Sequence, residues 1–426
     1  MNLLPKKADW LDARRAPLTD LAAGLTVAIV ALPLALAFGI ASGLGAEAGL
    51  TTAIIAGAIA AVFGGSKLQV SGPTGAMTVV LVPIVHQFGP QGVLLVGLLA
   101  GLILIIAAFA KIGEHVHRLP TSLIEGFTAG IAIVIALQQF PFIFGVQGST
   151  AEKVWVAAFE TAQIGLANFQ ITPVALTTLV AAIILIFSNR WPRVPFALLT
   201  VAIATAVTAT FNLDLETIGE LPARVGNLSF DFLNSANYVA LVPPAFAVAA
   251  LAALESLLSA KVADKMRGGS EHHDPNRELF GQGLANLAVP FFGGVPATAA
   301  LARTAVNVKS HAQSKLAALS HSIILALVVL LFAPLVGQIP LAALAGVLLA
   351  TTARMIKPKE LIALSKETKL DALVLVATFA ATIFIDLISA VLIGLALSLL
   401  LRKTKLAGID RRYPPVDENE TLGAHA

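Results

Sequence analysis

Long uninterrupted apolar runs dominate this chain. Leu21–Ser42, Val93–Ala110 and Leu316–Val336 are each long enough, as α-helix, to cross about 30 Å of hydrocarbon. Inside a bilayer the backbone must satisfy its own hydrogen bonds, so runs of this kind fold as helices. The predicted fold class is an all-α polytopic membrane protein. Composition agrees, since 57% of the 426 residues are hydrophobic and only 12% charged, with a mean hydropathy of +0.86. A soluble domain of this size needs more charge to cover its surface. The chain has no Cys, which removes disulfides, thiolate chemistry and Cys-based metal sites together. The first twenty residues carry no cleavable signal pattern, because their basic residues precede a full-length span.

Hydropathy divides the chain into fourteen segments, starting near Leu21, Gly49, Thr74, Val93, Gly126, Ile171, Val194, Ala245, Leu279, Ala297, Leu316, Leu341, Asp371 and Leu387. With a cytoplasmic amino terminus, every Lys and Arg except Lys153 and Arg224 falls on the cytoplasmic side or at its helix ends. This is the positive-inside pattern, and an odd number of spans would break it. Both termini are therefore expected in the cytoplasm, with the protein in the cell's inner membrane. Fourteen divides into seven plus seven, with the second half inverted. Each half carries a Gly/Pro interruption and a short, small-residue helix at its third segment: "VSGPTGAMTVVLVPIV" in the first and "FFGGVPATAALARTAVN" in the second. Short, interrupted segments in matching positions of two halves point to a transporter's binding site.

The chemistry of these interruptions follows from their position. Backbone that leaves helix geometry at membrane depth must be buried in protein or face a watery cavity. A half-helix starting there aims unsatisfied N–H groups and a positive dipole end into that cavity. Two such starts, near Thr74 and near Thr298, suit an anion. Small residues, among them Gly75, Ala76 and Ala300, allow close approach to the backbone. Glu255 lies well inside the eighth segment, where a carboxylate is costly and marks function. Arg303 is expected two turns into the tenth segment, to pair with Glu255, hold a substrate anion, or do both in different states. Ser259, one turn beyond Glu255, could coordinate a cation or water. Elsewhere, Ser122 and Glu125 read as a capping box, Asp386 as a turn between the last two spans, and His86 as an exterior interface residue. Adjacent His272 and His273 lack a further ligand pattern, so no metal site is predicted. No Walker loop, HExxH or GxSxG is present, which leaves an ATP-driven pump or a hydrolase without support.

At these motifs the chain resembles the sulfate permease (SulP) anion transporter family. The resemblance spans about Leu18 to Lys405 and is carried by "LAAGLTVAIVALPLALAFGIASGLGAEAGL", "VSGPTGAMTVV", "IEGFTAGIAI", "LESLLSAKVAD" and "LARTAVNVKS" in that order. It implies a cytoplasmic amino-terminal segment, 1–17, and a substrate-carrying core domain of spans 1–4 and 8–11, at 18–119 and 243–338. A gate domain of spans 5–7 and 12–14 would occupy 120–242 and 339–405, and 406–426 would be a cytoplasmic tail. Segments 3 and 10 would be half-helices facing the anion. Carried over by motif, Phe38, Thr74, Gly75, Ala76, Ala300, Ala302 and Arg303 would line the substrate site. Glu255 and Ser259 would serve a coupling proton or sodium ion. Two departures stand out. Pro33-Leu34 replaces the Pro-Gln of many members, and only a tail stands where the family's regulatory STAS domain should follow.

The expected function is secondary active transport, not enzymatic. A small anion such as bicarbonate, sulfate or a dicarboxylate would move by alternating access, in symport with a proton or sodium ion and without a resident cofactor. An anion channel or uncoupled exchanger is the alternative. A nucleobase permease is disfavoured because segment 10 carries Arg303 where that family uses a carboxylate. Expected partners are the anion and the bilayer, with a homodimer open and no nucleic acid.

Overall fold

The computed structural model describes residues 3–114, 120–151, 153–191, 194–234, 238–268 and 272–403; the expected tail at 406–426 lies outside the described residues. After a short α1 (Leu11–Arg15), Pro17 opens α2 (Pro17–Ala41), a position where its missing N–H costs nothing. There follow α3 (Ala46–Phe63), the two-residue strand β1 (Ser71–Gly72) and α4 (Gly75–Phe109). Gly89, at φ 70°, interrupts α4 just before Pro90, which only a residue without Cβ does freely. That break separates the third expected segment from the fourth. The first half continues with α5 (Thr121–Leu137), α6 (Phe140–Phe144), α7 (Val154–Ala167), α8 (Ile171–Arg190) and α9 (Phe196–Phe211). The second half holds α10 (Tyr238–Arg267), α11 (Pro275–Ala288), β2 (Thr298–Ala299), α12 (Leu301–Lys309) and α13 (Lys315–Gly337). It ends with α14 (Leu341–Met355), α15 (Pro358–Glu367), α16 (Lys369–Phe384) and α17 (Leu387–Lys403).

Among the described residues, eight helical stretches are long and apolar enough to cross a membrane. The chain is a multi-pass membrane protein. Several starts differ from the hydropathy reading because polar caps extend helices beyond their apolar stretch. Asp274 caps α11 by accepting from the N–H groups of Asn276 and Arg277, both at 3.0 Å, so that helix begins before Leu279. The Ser122–Glu125 capping box does not form. Helix α5 already begins at Thr121, and the Ser122 hydroxyl donates to Asp371 at 3.0 Å instead. Asp386 does stand at the turn before α17, accepting from the Ser389 N–H at 2.8 Å, and His86 is exposed.

The chain forms two compact units, Met1–Arg118 with Ile131–Ile356, and Leu119–Gly130 with Lys357–Ala426. In the smaller unit α16 packs on α15 and α17, and Gly126 lies against the Leu375 backbone. In the larger, α2, α3, α4, α10, α11 and α13 pack on one another, with α3 against β1 and α10 against β2. Small residues permit this: a Cβ on Gly49 would lie 2.0 Å from the Ala35 carbonyl, so α2 and α3 meet backbone to backbone.

The amino-terminal segment is fastened to this unit by charge. Arg277 donates to both carboxylate oxygens of Asp9, at 3.0 and 2.5 Å, and Lys67 donates to Asp12 at 3.0 Å. Burial opposes ionisation of Asp9, but the Arg277 hydrogen bonds, the Lys6 N–H and the Arg277 charge outweigh it and hold the carboxyl below its ordinary range. A depressed folded value means the contact contributes fully at neutral pH and is lost only as pH falls below the ordinary carboxylate value, about 3.9. At pH 7.5 we therefore expect Asp9→Asn to speed tryptic cleavage at Arg14 and Arg15 severalfold. Unchanged cleavage would mean the segment is held by other contacts.

Candidate functional site: paired interrupted segments

The two interruptions meet. β1 and β2 pair antiparallel, with Ser71 opposite Ala299 and Gly72 opposite Thr298. The Ala300 N–H extends the ladder to the Val70 carbonyl at 3.0 Å. Each strand runs within a few residues into a helix, β1 into α4 and β2 into α12. Because the strands are antiparallel, those helices leave the ladder in opposite directions, with both N-termini beside it. Thr74 caps α4, its hydroxyl accepting from the Met77 N–H at 3.3 Å. Ala300 occupies the matching position on α12 and has no side-chain cap to offer. The first-turn N–H donors of α12 are thus left to whatever occupies the adjoining space.

Outside the ladder, side chains satisfy the irregular backbone. Asn286 on α11 holds Ala297 at both polar groups, accepting from its N–H at 2.8 Å and donating to its carbonyl at 2.9 Å. Asn307 donates to the Leu68 carbonyl at 2.8 Å, and Thr52 to that of Val295 at 3.0 Å. Gln282 donates to Ser71 Oγ at 2.6 Å and to Glu278 at 2.9 Å, while Glu278 accepts from the Gly65 and Ser66 N–H groups. At membrane depth an unsatisfied group costs several kcal/mol, so these amides and hydroxyls permit the break.

Helix α10 braces both strands. Ser256 accepts from the Ala299 N–H at 3.2 Å and meets the Thr298 hydroxyl at 3.0 Å, while its carbonyl accepts from Gln69 at 2.7 Å. One residue earlier, the half-buried Glu255 accepts from Thr74 Oγ1 at 2.9 Å. Ser259, wholly buried, donates to Thr304 at 3.1 Å rather than toward Glu255. Arg303 is the third residue of α12, not two turns in, and its side chain crosses to the other interruption. Its Nη2 donates to the Pro73 carbonyl at 2.6 Å. Among the described residues no carboxylate is in ion-pair contact with Arg303, so the direct Glu255–Arg303 bridge weighed from sequence is absent.

The structure thus brings Phe38, Thr74, Gly75, Glu255, Ala300 and Arg303 around one ladder. The Phe38 ring stands against Gly75: a Cβ there would lie 3.1 Å from Phe38 Cε1 and 2.3 Å from Ile135 Cδ1. Ala76 is buried beside them and Ala302 is exposed on α12. Sequence reasoning passed over Thr304, Gln282 and Asn286. The last two, four apart on α11 in "GQGLANLA", form a polar stripe in an apolar setting, and that was a usable signal. His273, set aside as a ligand, contacts Asp264 at 2.6 Å, and the described residues contain no metal-holding cluster.

The model of the sulfate permease family matches residues 18–378. The chain belongs to the sulfate permease family. It is 40% identical over 385 residues to the putative sulfate transporter YvdB of Bacillus subtilis, covering 89% of this chain and 72% of that one. It is 32% identical over 389 residues to the bicarbonate transporter BicA of a Picosynechococcus, covering 88% and 68%. The transmembrane domain of a cyanobacterial BicA superposes with a TM-score of 0.80 at 31% identity, over 88% of this chain and 97% of that one. SLC26A9 shares the fold at a TM-score of 0.83 and 19% identity, over 92% and 67%. Proteins of this family are membrane transporters and not enzymes.

Gly72 is where the ladder depends on a missing Cβ. A methyl there would lie 2.5 Å from Arg303 Nη1 and 3.2 Å from Ala53 Cα. Gly72→Ala should therefore lower the melting temperature of the detergent-purified protein by displacing the guanidinium. In an Arg303→Ala background the same change should cost less, a coupling of about 0.5–3 kcal/mol. Additive effects would show that Arg303 does not fill that space.

Proposed function

We propose that the protein is a secondary active anion transporter. The observation that carries this reading is the pair of helix N-termini flanking one ladder. One lacks a side-chain cap, Arg303 sits in its first turn, and among the described residues no carboxylate is in ion-pair contact with that charge. Backbone N–H groups, dipole ends and a guanidinium together favour a small anion. Sulfate and bicarbonate, named for the relatives, are the first substrates to test, with small dicarboxylates behind them. The substrate site would comprise Phe38, Thr74, Gly75, Ala76, Ala300, Ala302 and Arg303.

A carboxylate beside such a site suits symport. A proton or sodium ion on Glu255 would offset both its charge and the anion's, which an open channel does not need. For Ser259 to join a sodium ion, its hydroxyl has to leave Thr304. No tightly held cofactor enters this scheme.

The same reading takes the chain as fourteen segments in a seven-plus-seven inverted repeat, with both termini cytoplasmic in the inner membrane. Antiparallel strands feeding oppositely directed helices support the inversion. Core intervals 18–119 and 243–338 would carry the anion against gate intervals 120–242 and 339–405. In support, α3, α4, α11, α12 and α13, which frame the ladder, fall within the core intervals, as do α2 but for Pro17 and α10 but for its first five residues.

In proteoliposomes with sodium and proton gradients imposed separately, wild-type protein should accumulate sulfate or bicarbonate under one gradient. Glu255→Gln should reduce that accumulation at least tenfold. Full gradient-driven uptake by this variant would remove Glu255 from coupling, and large unitary currents would favour a channel.

A further inference from the structure

Two buried polar groups, one on α12 and one on α13, lack conventional partners. Arg303 is 1% exposed and His321 is wholly buried. Arg303 Nη1 and both ring nitrogens of His321 make no hydrogen bond of normal geometry. A run of packed neighbours connects them. Helix α13 carries His321 one turn beyond Ala318, and Ala318 packs on Val70 at the edge of β1. The next residue, Ser322, donates to the Ala53 carbonyl at 3.3 Å. Ala53 Cα in turn lies 3.2 Å from the Gly72 Cβ position that Arg303 Nη1 crowds. The Ala318 carbonyl lies one turn back from His321 on the same helix.

The chemistry of the two groups is complementary. A neutral imidazole has one N–H and one lone pair, whereas a guanidinium has only donors. If the ring turns its N–H to the Ala318 carbonyl, the remaining lone pair needs a donor, and Arg303 Nη1 has donors to spare. A buried site with two or more polar partners suits a water molecule, and orphaned buried groups of this kind are costly. We infer that His321 is a positioning residue: through one ordered internal water it accepts from Arg303 Nη1 and fixes the guanidinium from behind. This rests on the transporter reading only in so far as Arg303 meets the anion from its other side.

Held at Pro73 alone, the guanidinium can pivot about a single hydrogen bond; held at both ends, it keeps its charge aimed at the two helix N-termini. Losing the rear contact should therefore weaken anion binding more than turnover. In proteoliposomes, His321→Leu should raise KM for sulfate or bicarbonate uptake about tenfold, the loss of roughly one hydrogen bond to a charged group. Its kcat should stay within about twofold of wild type, while His321→Gln, which keeps an acceptor, should restore KM to within about twofold. A cryo-electron-microscopy map of the wild-type protein, at a resolution that shows water, should hold density bridging Arg303 Nη1 and the His321 ring. Unchanged KM in a folded His321→Leu protein, or a map with no water between the two groups, would overturn the inference. Should His321→Leu fail to fold, His321→Gln kinetics and the map decide. Should wild-type protein take up neither anion, the transport reading fails and the map alone decides the positioning.

Discussion

Everything at the centre of this protein depends on a two-residue antiparallel pairing deep within a bundle of helices. Ser71–Gly72 and Thr298–Ala299 lie more than two hundred positions apart in the chain, yet each supplies the partner the other lacks. An interrupted helix in a membrane leaves N–H and C=O groups that lipid cannot satisfy. Two interruptions placed together relieve part of that cost, and side chains from α3, α10, α11 and α12 relieve most of the rest. What remains is the first turn of each following helix. The feature that makes the segments unfit as simple spans is thus the one that leaves donors free for a ligand.

The charged groups are arranged across this pairing, not within either half. Glu255, from the second half, is held by Thr74 of the first interruption, and Arg303, from the second interruption, is held by Pro73 of the first. The two charges do not meet directly. A closed buried ion pair would satisfy both and leave little field for a ligand, while separated charges on hydroxyl and carbonyl partners keep their capacity to bind. A change in the occupancy of Glu255 would be felt at once by Thr74, the cap of α4. In the symport proposed above, the link from cation to anion would need no longer route than that one hydroxyl.

Much of this was legible in the sequence, and the reasons differ by residue. Apolar runs such as Leu316–Val336 become α13 because hydrocarbon leaves them no other fold. The break at "VSGPTGAM" was legible because Ser, Gly and Pro cluster where nothing else is polar, and its twin at "GGVPATAALART" because the order repeats. Their pairing as strands was not legible, since two residues carry no periodicity. Arg303 was found as a charge, but its depth in the helix was misjudged, because the boundary at Ala300–Leu301 is set by the ladder and not by a cap. Ser259 was read by its spacing from Glu255, yet Thr304, invisible as a partner in one dimension, takes its hydroxyl. The Ser122–Glu125 box failed for a similar reason: Asp371, far along the chain, claims Ser122.

The central claim is that the anion binds between the N-termini of α4 and α12. The most direct test is a high-resolution map of the membrane-reconstituted protein in a saturating concentration of the anion it transports. The account predicts density within about 3.5 Å of backbone N–H groups from both the Gly75 and the Leu301 ends, with the Arg303 guanidinium beside it. Density at one end only, or at a site away from the β1–β2 ladder, would contradict it.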